Sequence, residues 1–457
     1  MTQIMNGQQA QNDIAYNLHP FTNAKRHKEV GPLVVERGDG VYVYDINGKR
    51  YLEGMSGLWS VAVGFSESRL VDAAIRQMQK LPFYHNFAHK SHGPQIDLAE
   101  KLVTMAPVPM SKAFFTNSGS EANDTAIKLI WYRSNALGQP LRKKIIARDR
   151  GYHGGTIASA SLTGLSACHK SFDLPLAGFL HTGAPDYWKD AVQGETEEQF
   201  ASRRAAELEQ LILREGPETI AAFFAEPVMG AGGVVIPPIG YWEKIQAVLN
   251  KYDISLVADE VICGFGRTGK MFGSETFNMR PDIMVLSKAL ASSYQPIAAL
   301  LINDRIFQSI EDESNSIGTL GHGFTAGGHP VAAAVALENI RIIEEDGLVE
   351  NAQMMGKQLI KELKETSANP LIGEVRGVGL MAGVALATNG FTKLASAAPG
   401  YLGGLVALEM QNRGVIVRNA YDTIVFCPPL IINSQQVTII AEAFKEAIGS
   451  VAALLEK

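Results

Sequence analysis

The sequence predicts an α/β fold in which a mostly parallel sheet, flanked by helices, is joined to a smaller α+β domain. Short runs rich in Val, Ile, Leu and Phe alternate with helical stretches through the middle of the chain, which is the order that parallel strands with helical crossovers require. From about residue 330 the pattern changes to a long helix, glycine-rich strands and a terminal helix. The length of 457 residues leaves room for roughly two or three domains around a large core.

The N-terminal part of the chain contains an arm, a hairpin and a helix. Residues 1–30 have the composition of an extended arm with a short helix. The segment GDGVYVYDINGKRYLEG places apolar strands on both sides of Asn47-Gly48, a dipeptide typical of tight hairpin turns. A helix is expected to begin near Pro94, because proline suits the first helical turn, and to end before Pro107.

Strands and helices then alternate across the central region. The strands are expected at KAFFTNSG, KKIIARD, AAFFAEP, SLVADEV, IMVLSKAL and AALLIN, with helices at 120–135, 200–214 and 240–251. These strands are apolar almost throughout, as in a parallel sheet that is buried on both faces. We therefore predict that residues 1–70 are an arm and hairpin belonging to the small domain, that 71–329 form the large domain, and that 330–457 complete the small domain.

Composition and charge exclude several classes of partner. A formal net charge of −6 and a pI near 6.0 provide no basic excess to neutralise phosphates, so nucleic acid is not an expected partner. The N-terminus has neither the basic region nor the apolar core of a signal peptide, and no uncharged stretch is continuous enough to span a membrane. The three cysteines, Cys168, Cys263 and Cys427, form no C-x-x-C pair, as expected of reduced thiols. We therefore expect a cytoplasmic protein without a membrane partner.

An acid and a lysine end two of the buried strands. Asp259 ends SLVAD, and Lys288 follows IMVLS. A charged group at the end of a buried strand is energetically costly unless it is paired or binds a ligand. In α/β sheets, ligands bind at the carboxyl ends of the parallel strands. Pyridoxal phosphate needs both groups, because its aldehyde condenses with a lysine amine and its ring nitrogen pairs with an acid. A lysine at a strand end is more often simply solvated, so this pair alone does not decide the function.

Other strand ends carry residues that could bind the same ligand. The segment TNSGSEAN leads from a strand into a helix, whose N-terminal N–H groups can bind an anion. Ser118 or Ser120 could equally be a plain helix cap. Tyr152 in GYHG could stack on a ligand ring or merely cover the core. Glu226 ends another strand, where it could face a ligand or a nearby backbone N–H.

The tract around Asp259 and Lys288 resembles the class III aminotransferases, which are fold type I pyridoxal-phosphate enzymes. The parallels are DEV at 259–261, GFGRTG at 264–269 and SKAL at 287–290. The resemblance implies a large domain with a seven-stranded, mostly parallel sheet and a smaller α+β domain. It also implies that Lys288 carries the Schiff base, that Asp259 faces the pyridine nitrogen and that Val261 packs on the ring.

The same resemblance assigns further residues to the cofactor. The phosphate is expected at the NSGSEAN turn, on Ser118, Gly119 and Ser120. Tyr152 is expected to stack on the pyridine ring with His153 beside it. Glu226 is expected close to the cofactor and its aspartate.

A glycine-dense loop, HGFTAGGH, leads into a helix that is expected to begin near Pro330. In the class III family the threonine of this loop reaches the phosphate bound by the partner subunit, and Thr325 matches that threonine. The resemblance therefore implies a homodimer, or a dimer of dimers, with shared active sites.

The expected substrate residues are inferred from a resemblance to the ω-aminotransferase branch of the family, which includes the β-alanine:pyruvate and amine:pyruvate enzymes. GLW around Trp59 and the aromatic stretch around Phe87 resemble its pocket walls, to which Tyr152 also contributes. Arg418 matches an arginine that binds an α-carboxylate there, a task that suits a guanidinium. From the residues alone, Trp59 would be core and Arg418 a solvated strand end. The branch implies ping-pong transfer of an amino group from a primary amine or ω-amino acid to a keto acid such as pyruvate.

Other chemistries remain open at this point. An aminomutase or a decarboxylase of the same fold would share the lysine and the aspartate. GFGRTG also spells the G-x-G-x-x-G of nicotinamide sites, but the residues after it form a poor helix, and Asp282 begins the next strand instead of ending it. His85, His89 and His92 have helical spacing without an adjacent acid or cysteine, which disfavours a metal site. The donor stays open among β-alanine, taurine, a diamine and an aryl-alkylamine.

Overall fold

A computed structural model describes residues 7–387 and 399–456 of the chain. The helices are α1 (Gln8–Tyr16), α2 (Ala24–Val30), α3 (Ser56–Trp59), α4 (Ser68–Lys80), α5 (Gly93–Met105), α6 (Gly119–Ala136), α7 (Ile157–Leu162), α8 (Tyr187–Asp190), α9 (Glu197–Glu215), α10 (Tyr241–Lys251), α11 (Gly273–Thr276), α12 (Asp304–Ile317), α13 (Pro330–Glu345), α14 (Leu348–Lys364), α15 (Tyr401–Asn412) and α16 (Ser434–Glu456). The strands are β1 (Val35–Asp39), β2 (Tyr42–Asp45), β3 (Arg50–Glu53), β4 (Lys112–Thr116), β5 (Lys144–Arg148), β6 (Phe179–Thr182), β7 (Ile220–Ala225), β8 (Ser255–Asp259), β9 (Ile283–Leu286), β10 (Ala298–Ile302), β11 (Ile372–Val378), β12 (Met381–Leu386), β13 (Val415–Ile416), β14 (Arg418–Ala420) and β15 (Thr423–Phe426). None of the helices in the described ranges combines the length and the apolar character needed to cross a bilayer.

The central sheet has seven strands in the order β4-β10-β9-β8-β7-β5-β6. Strands β9, β8, β7, β5 and β6 are parallel, whereas β10 runs antiparallel to both of its neighbours. The prediction of a mostly parallel, seven-stranded sheet is therefore confirmed. The sequence did not predict β6, because its four residues, FLHT, include two polar ones and lie inside a long insert.

Helices cover both faces of this sheet. Successive residues of β5 show the alternation: Ile145 packs in the cluster that contains α6, and Ile146 packs in the cluster that contains α9 and α10. Because side chains alternate across a strand, a strand that is covered on both faces is expected to be apolar at nearly every position. All the residues of β7, β8, β9 and β10 are indeed buried.

Two smaller sheets bring the two ends of the chain together. The predicted hairpin around Asn47-Gly48 is present as β2 and β3, and β13 from the C-terminal part pairs in parallel with β3. The other small sheet has the antiparallel order β11-β12-β15-β14. Since the N-terminal hairpin shares a sheet with a C-terminal strand, we propose that residues 1–70 and 330–457 belong to one small domain beside the large domain of 71–329.

The C-terminal region differs from the prediction in its helices. The single long helix expected after residue 330 is divided into α13 and α14 at Gly347, whose φ of +63° favours glycine. Helix α14 then packs closely on the turn between β11 and β12. A methyl group added at Gly356 would lie 1.9 Å from the carbonyl oxygen of Gly379, so only glycine permits this approach.

Candidate active site

The predicted site residues converge on the carboxyl edge of the central sheet. Asp259 is the last residue of β8, which lies in the middle of the sheet. Glu226 directly follows the neighbouring strand β7, and Lys288 follows β9 on the other side. Tyr152 lies in the loop after β5. The parallel direction of these strands places their ends at one crevice, as expected for an α/β sheet.

The carboxylate of Asp259 is buried and held by hydrogen bonds. Its exposed fraction is 3%. Oδ2 accepts a hydrogen bond from Nδ2 of Asn123 at 2.9 Å and pairs with Nδ1 of His153 at 2.8 Å. Oδ1 accepts from the backbone N–H of Val261 at 3.1 Å, its one hydrogen bond among the described residues. Because a carboxylate oxygen can accept two hydrogen bonds, Oδ1 keeps capacity for one more donor.

Asn123 is a site residue that the sequence analysis missed. Its side chain is fully buried near the start of α6 and also donates to the backbone carbonyl of His153 at 2.7 Å. It lies on the same helix face as the apolar Ala122 and Ala126. A polar residue on a face predicted to be buried must find partners, so this position was a usable signal.

Glu226 supports the loop that carries Tyr152. Its Oε1 accepts from the backbone N–H of Tyr152 at 3.1 Å, and its Oε2 accepts from the N–H of Gly230 at 2.8 Å. Burial raises the pKa of the Glu226 carboxyl, the nearby charge of His153 opposes this shift, and that of Asp259 adds to it. Both oxygens of Glu226 therefore bind backbone N–H groups, as expected of a carboxylate at the end of a strand.

Lys288 has an unusual backbone and an unusual electrostatic environment. Its φ is +46°, in the left-handed region that a residue with a side chain rarely adopts. Such backbone strain is common at functional sites. Burial lowers the pKa of the Lys288 amine, while the negative charges of Asp259 and Glu226 act in the opposite direction. A larger fraction of this amine is therefore neutral, and so nucleophilic, than in a solvated lysine.

The turn before α6 lies against these residues. Ser118 caps the helix by accepting from the N–H of Glu121 at 3.2 Å, which leaves its hydroxyl hydrogen available to a ligand. A methyl group at Gly119 would lie 3.0 Å from Cγ2 of Val261 and 3.6 Å from Cβ of Ser287. The N-terminus of an 18-residue helix, with its partial positive charge, thus points into the crevice next to Lys288.

Ser120 connects the same turn to the loop after β5. Its Oγ accepts from the N–H of Gly155 at 3.0 Å. At Gly154, where φ is +142°, an added methyl group would lie only 2.5 Å from this Oγ. The two loops are therefore packed as one wall of the crevice.

Phe21 joins the site from the N-terminal arm, and the sequence analysis missed it as well. Its ring centroid lies 6.1 Å from that of Tyr152 in an edge-on arrangement. The guanidinium of Arg418 lies 6.0 Å from the same ring, at the limit of a cation–π contact. Phe21 thus lies between Tyr152 and Arg418. No local pattern marks it, because its role depends on where the arm folds.

The other predicted substrate residues are more dispersed. Trp59, at 2% exposure, is packed in a cluster with Ile262 and Cys427. Phe87 is exposed, and it touches the glycine-dense loop: a methyl group at Gly323 would lie 2.7 Å from its Cζ. Thr325, in the same loop, is also exposed. Neither Phe87 nor Thr325 has a hydrogen bond or ring contact with Asp259 or Lys288 among the described residues.

The GFGRTG segment has a structural arrangement unlike that of a nicotinamide site. No helix opens directly at these glycines, since only the four-residue α11 follows them. Arg267 is buried to 1% exposure and donates to the backbone carbonyls of Leu380 and Pro428. The segment therefore ties the loop after β8 to the C-terminal part of the chain.

The histidines with helical spacing hold local backbone. Nδ1 of His92 caps α5 by accepting from the N–H of Gln95 at 3.3 Å, and Nδ1 of His85 accepts from the N–H of Phe87 at 3.2 Å. His89 lies in the turn between them with φ of +65°. These contacts are those of loop residues and of a helix cap.

The arrangement fits pyridoxal phosphate. A lysine amine can bind an aldehyde, and Asp259 can accept a hydrogen bond from a protonated ring nitrogen. The N-terminus of α6 can bind a phosphate. The buried ring of His153 supplies a further polar group, since its Nε2 has no hydrogen-bond partner within the described part of the chain.

Comparison with known proteins gives a consistent result. The family described as aminotransferase class III matches residues 23–448. An ω-transaminase from Pseudomonas jessenii, solved in complex with PMP (pyridoxamine phosphate), is 59% identical, with a TM-score of 0.97 over 98% of this chain and 99% of the other. A transaminase solved with L-alanine is 65% identical, with a TM-score of 0.91 over 93% of this chain and all of the other. The mitochondrial γ-aminobutyrate transaminase 1 of Oryza sativa subsp. japonica is 49% identical over 94% of this chain and 84% of its own length.

The electrostatics of Lys288 can be measured in the cofactor-free protein. We expect its amine to lose the proton at a lower pH than a solvated lysine, because burial disfavours the charged form. The pH dependence of labelling by an amine-directed reagent, followed on the Lys288 peptide by mass spectrometry, measures this pKa. Glu226→Gln removes a negative charge and should lower it further.

The peptide that carries the exposed Lys80 provides the reference within the same sample. A labelling midpoint for Lys288 at or above that of Lys80 would show that burial does not control this amine.

Proposed function

This chain belongs to the class III aminotransferases, whose cofactor is pyridoxal phosphate, and within that family we propose that it is an ω-transaminase. In this proposal an amino group passes from a primary amine or ω-amino acid to a keto acid such as pyruvate. The convergence of Lys288, Asp259 and the N-terminus of α6 on one crevice supports the cofactor chemistry, and the 59% identity to a solved ω-transaminase supports the branch.

Lys288 and Asp259 have complementary roles in this proposal. The bound cofactor supplies an electron sink for the carbanion that forms when the substrate loses its proton. The Lys288 amine would hold the cofactor through its aldehyde and, when free, would take the substrate proton and return it. Its lowered pKa favours the neutral amine that this transfer requires. Asp259 would accept a hydrogen bond from the protonated ring nitrogen, for which Oδ1 keeps capacity.

The surrounding residues position the ring and the phosphate. Gly119 and Ser120 are proposed to hold the phosphate at the start of α6, with Ser118 as the helix cap. Val261 is proposed to support one face of the ring and Tyr152 the other. His153 and Glu226 are proposed to act through Asp259 and through the Tyr152 loop, since those are the groups that they contact.

The choice of substrate rests on the relatives and on the entrance to the crevice. The rice relative is named for γ-aminobutyrate, an ω-amino acid, and L-alanine, found with another relative, is the amination product of pyruvate. Arg418 is proposed to bind the carboxylate of the keto acid. Phe21, Tyr152, Trp59 and Phe87 are proposed to contact the apolar part of the donor.

We propose that the active protein is a homodimer, or a dimer of dimers, with shared active sites. Phe83, Tyr84 and Phe87 are exposed next to the glycine-dense loop, and Phe83 lies 5.8 Å from the ring of His329. An exposed cluster of aromatic rings is typical of an interface. In the dimer Thr325 would reach the phosphate that the partner binds.

We also propose that the protein is cytoplasmic. The support is that none of Cys168, Cys263 and Cys427 forms a disulfide and that the last two are buried, as expected under reducing conditions. The plant relatives are named as mitochondrial or chloroplastic, so fractionation of the source cells is the test, and an organelle-bound pool would contradict this location.

Asp259→Asn should leave a folded protein that binds the cofactor but has lost most of its activity. A neutral amide cannot stabilise a protonated ring nitrogen, and we expect kcat to fall roughly a hundredfold or more. The matched control is Asp282→Asn, which changes a carboxylate at the opposite edge of the same sheet. Near-normal turnover of Asp259→Asn with pyruvate would mean that another residue faces the ring nitrogen.

Arg418→Ala should affect the two half-reactions differently. Loss of a hydrogen bond to a charged group should weaken the half-reaction with pyruvate by roughly 1.5–3 kcal/mol. The half-reaction with an amine that has no carboxylate should change little. Single-turnover kinetics separate the two halves, and Arg341→Ala on the exposed face of α13 is the control. Equal losses in both halves would assign Arg418 a structural role.

Thr325→Ala tests the shared site. The wild-type chain of 49.4 kDa is expected to give twice or four times that mass in light scattering. In Thr325→Ala the mass should be unchanged, while the affinity for pyridoxal phosphate should fall about tenfold or more from the loss of a hydrogen bond to a phosphate. Thr104→Ala, an exposed helical threonine that bonds its own helix, is the control. A monomeric wild type would contradict the proposal.

A further inference from the structure

A cluster of one carboxylate and two imidazoles lies in the N-terminal arm. Oδ2 of Asp13 is 2.7 Å from Nε2 of His19 and 3.0 Å from Nε2 of His27. The centroids of the two imidazole rings are 4.2 Å apart, and both ring edges point at the same carboxylate oxygen. Within the described ranges this is the one group of three His, Cys, Asp or Glu side chains whose ligand atoms all lie within 4.8 Å of one another.

We propose that Asp13, His19 and His27 bind a divalent transition-metal ion of the zinc type. Two imidazole nitrogens and one carboxylate oxygen are a usual ligand set for such ions. Around a tetrahedral zinc, with bonds of about 2.0–2.1 Å, the ligand atoms lie roughly 3.3 Å apart. The two observed separations between an imidazole nitrogen and Oδ2 of Asp13, 2.7 and 3.0 Å, are a few tenths of an ångström shorter. A small outward movement of the side chains would therefore admit the ion and leave the fourth position to water.

The carboxylate is held in the orientation that this site needs. Nδ2 of Asn17 donates to Oδ1 of Asp13 at 2.9 Å, which leaves Oδ2 for the ion. Hydrogen bonds of this kind from outside the ligand set orient metal-binding carboxylates and strengthen binding. All three candidate ligands are half-buried, which limits competition from solvent.

The arm has little else to fix its shape. Helix α2 has seven residues and buries none of them, and α1 buries only Ala10. Such short helices are marginal without packing, and hydrogen bonds between half-exposed side chains contribute little. An ion bound by Asp13 on α1 and by His27 on α2 would tie the two helices together.

This tie would also position Phe21. Phe21 lies in the turn between the two helices, after His19, and it contacts Tyr152 and Arg418 at the crevice. The metal site is therefore a support for the arm that closes one side of the active-site entrance. Metal binding at Asp13, His19 and His27 does not depend on which amine or keto acid the enzyme uses.

Titration with Zn²⁺ tests the site. The holoenzyme is treated with a chelator, freed of chelator and unbound cofactor by gel filtration, and dialysed to equilibrium against Zn²⁺. We expect one ion per chain. Loss of a contact outside the ligand set already weakens metal binding by roughly 10–100-fold, so His27→Ala and Asp13→Ala should weaken it by about 100-fold or more.

The matched control is His89→Ala, which removes an exposed histidine elsewhere on the surface. This variant should bind Zn²⁺ like the wild type. Wild-type protein without stoichiometric binding, unchanged binding in His27→Ala, or loss of binding in His89→Ala would each overturn the proposal, the last by assigning the ion to His85, His89 and His92.

Limited proteolysis tests whether the bound ion holds α1 and α2 together. Trypsin can cut the arm at Lys25, Arg26 and Lys28 when α2 opens. With free Zn²⁺ at about ten times its dissociation constant, opening should be suppressed about tenfold, so cleavage of the wild type should slow by that factor. His27→Ala should be cut at one rate with or without Zn²⁺. Equal cleavage of the wild type in both conditions would show that a bound ion does not hold the arm.

Discussion

The rest of the candidate active site depends on one constraint, which is that the buried carboxylate of Asp259 must be held by hydrogen bonds. An ionised group removed from water destabilises a protein unless hydrogen-bond donors replace the water. Asn123 and His153 provide those donors, and each comes from a separate element, α6 and the loop after β5. Strand, helix and loop must therefore be assembled together before this charge is tolerated. What remains is the free capacity of Oδ1, which matches a protonated ring nitrogen in both charge and hydrogen-bonding direction.

The same sheet edge sets the chemistry of the lysine. Burial lowers the pKa of the Lys288 amine, and the negative charges of Asp259 and Glu226 oppose that shift. Burial also raises the pKa of the Glu226 carboxyl, a shift that the charge of Asp259 increases and that of His153 opposes. The site therefore balances desolvation against attraction between close, oppositely charged groups. The strained backbone of Lys288 is consistent with this role, because a φ of +46° persists only where the surroundings enforce it. We propose that this single lysine both binds the cofactor and moves the substrate proton.

The sequence was most informative where the signal was local. Asp259 and Lys288 lie at or just after the ends of apolar strands, and the turn before α6 is a short polar segment between a strand and a helix. These features could be predicted because the residues that mark them are adjacent in the sequence. Asn123 and Phe21 were missed because their contacts join distant parts of the chain; the bond from Asn123 to Asp259 spans 136 residues. The division of the C-terminal helix was missed because one glycine, Gly347, causes it.

We propose that Asp259 keeps the ring nitrogen of the cofactor protonated. Nitrogen-15 NMR of holoenzyme reconstituted with pyridoxal phosphate labelled at that nitrogen measures this directly, because protonated and neutral pyridine nitrogens have well-separated chemical shifts. We expect the shift of a protonated nitrogen at neutral pH in the wild type, and that of a neutral nitrogen in Asp259→Asn. A neutral nitrogen in the wild-type enzyme would contradict it.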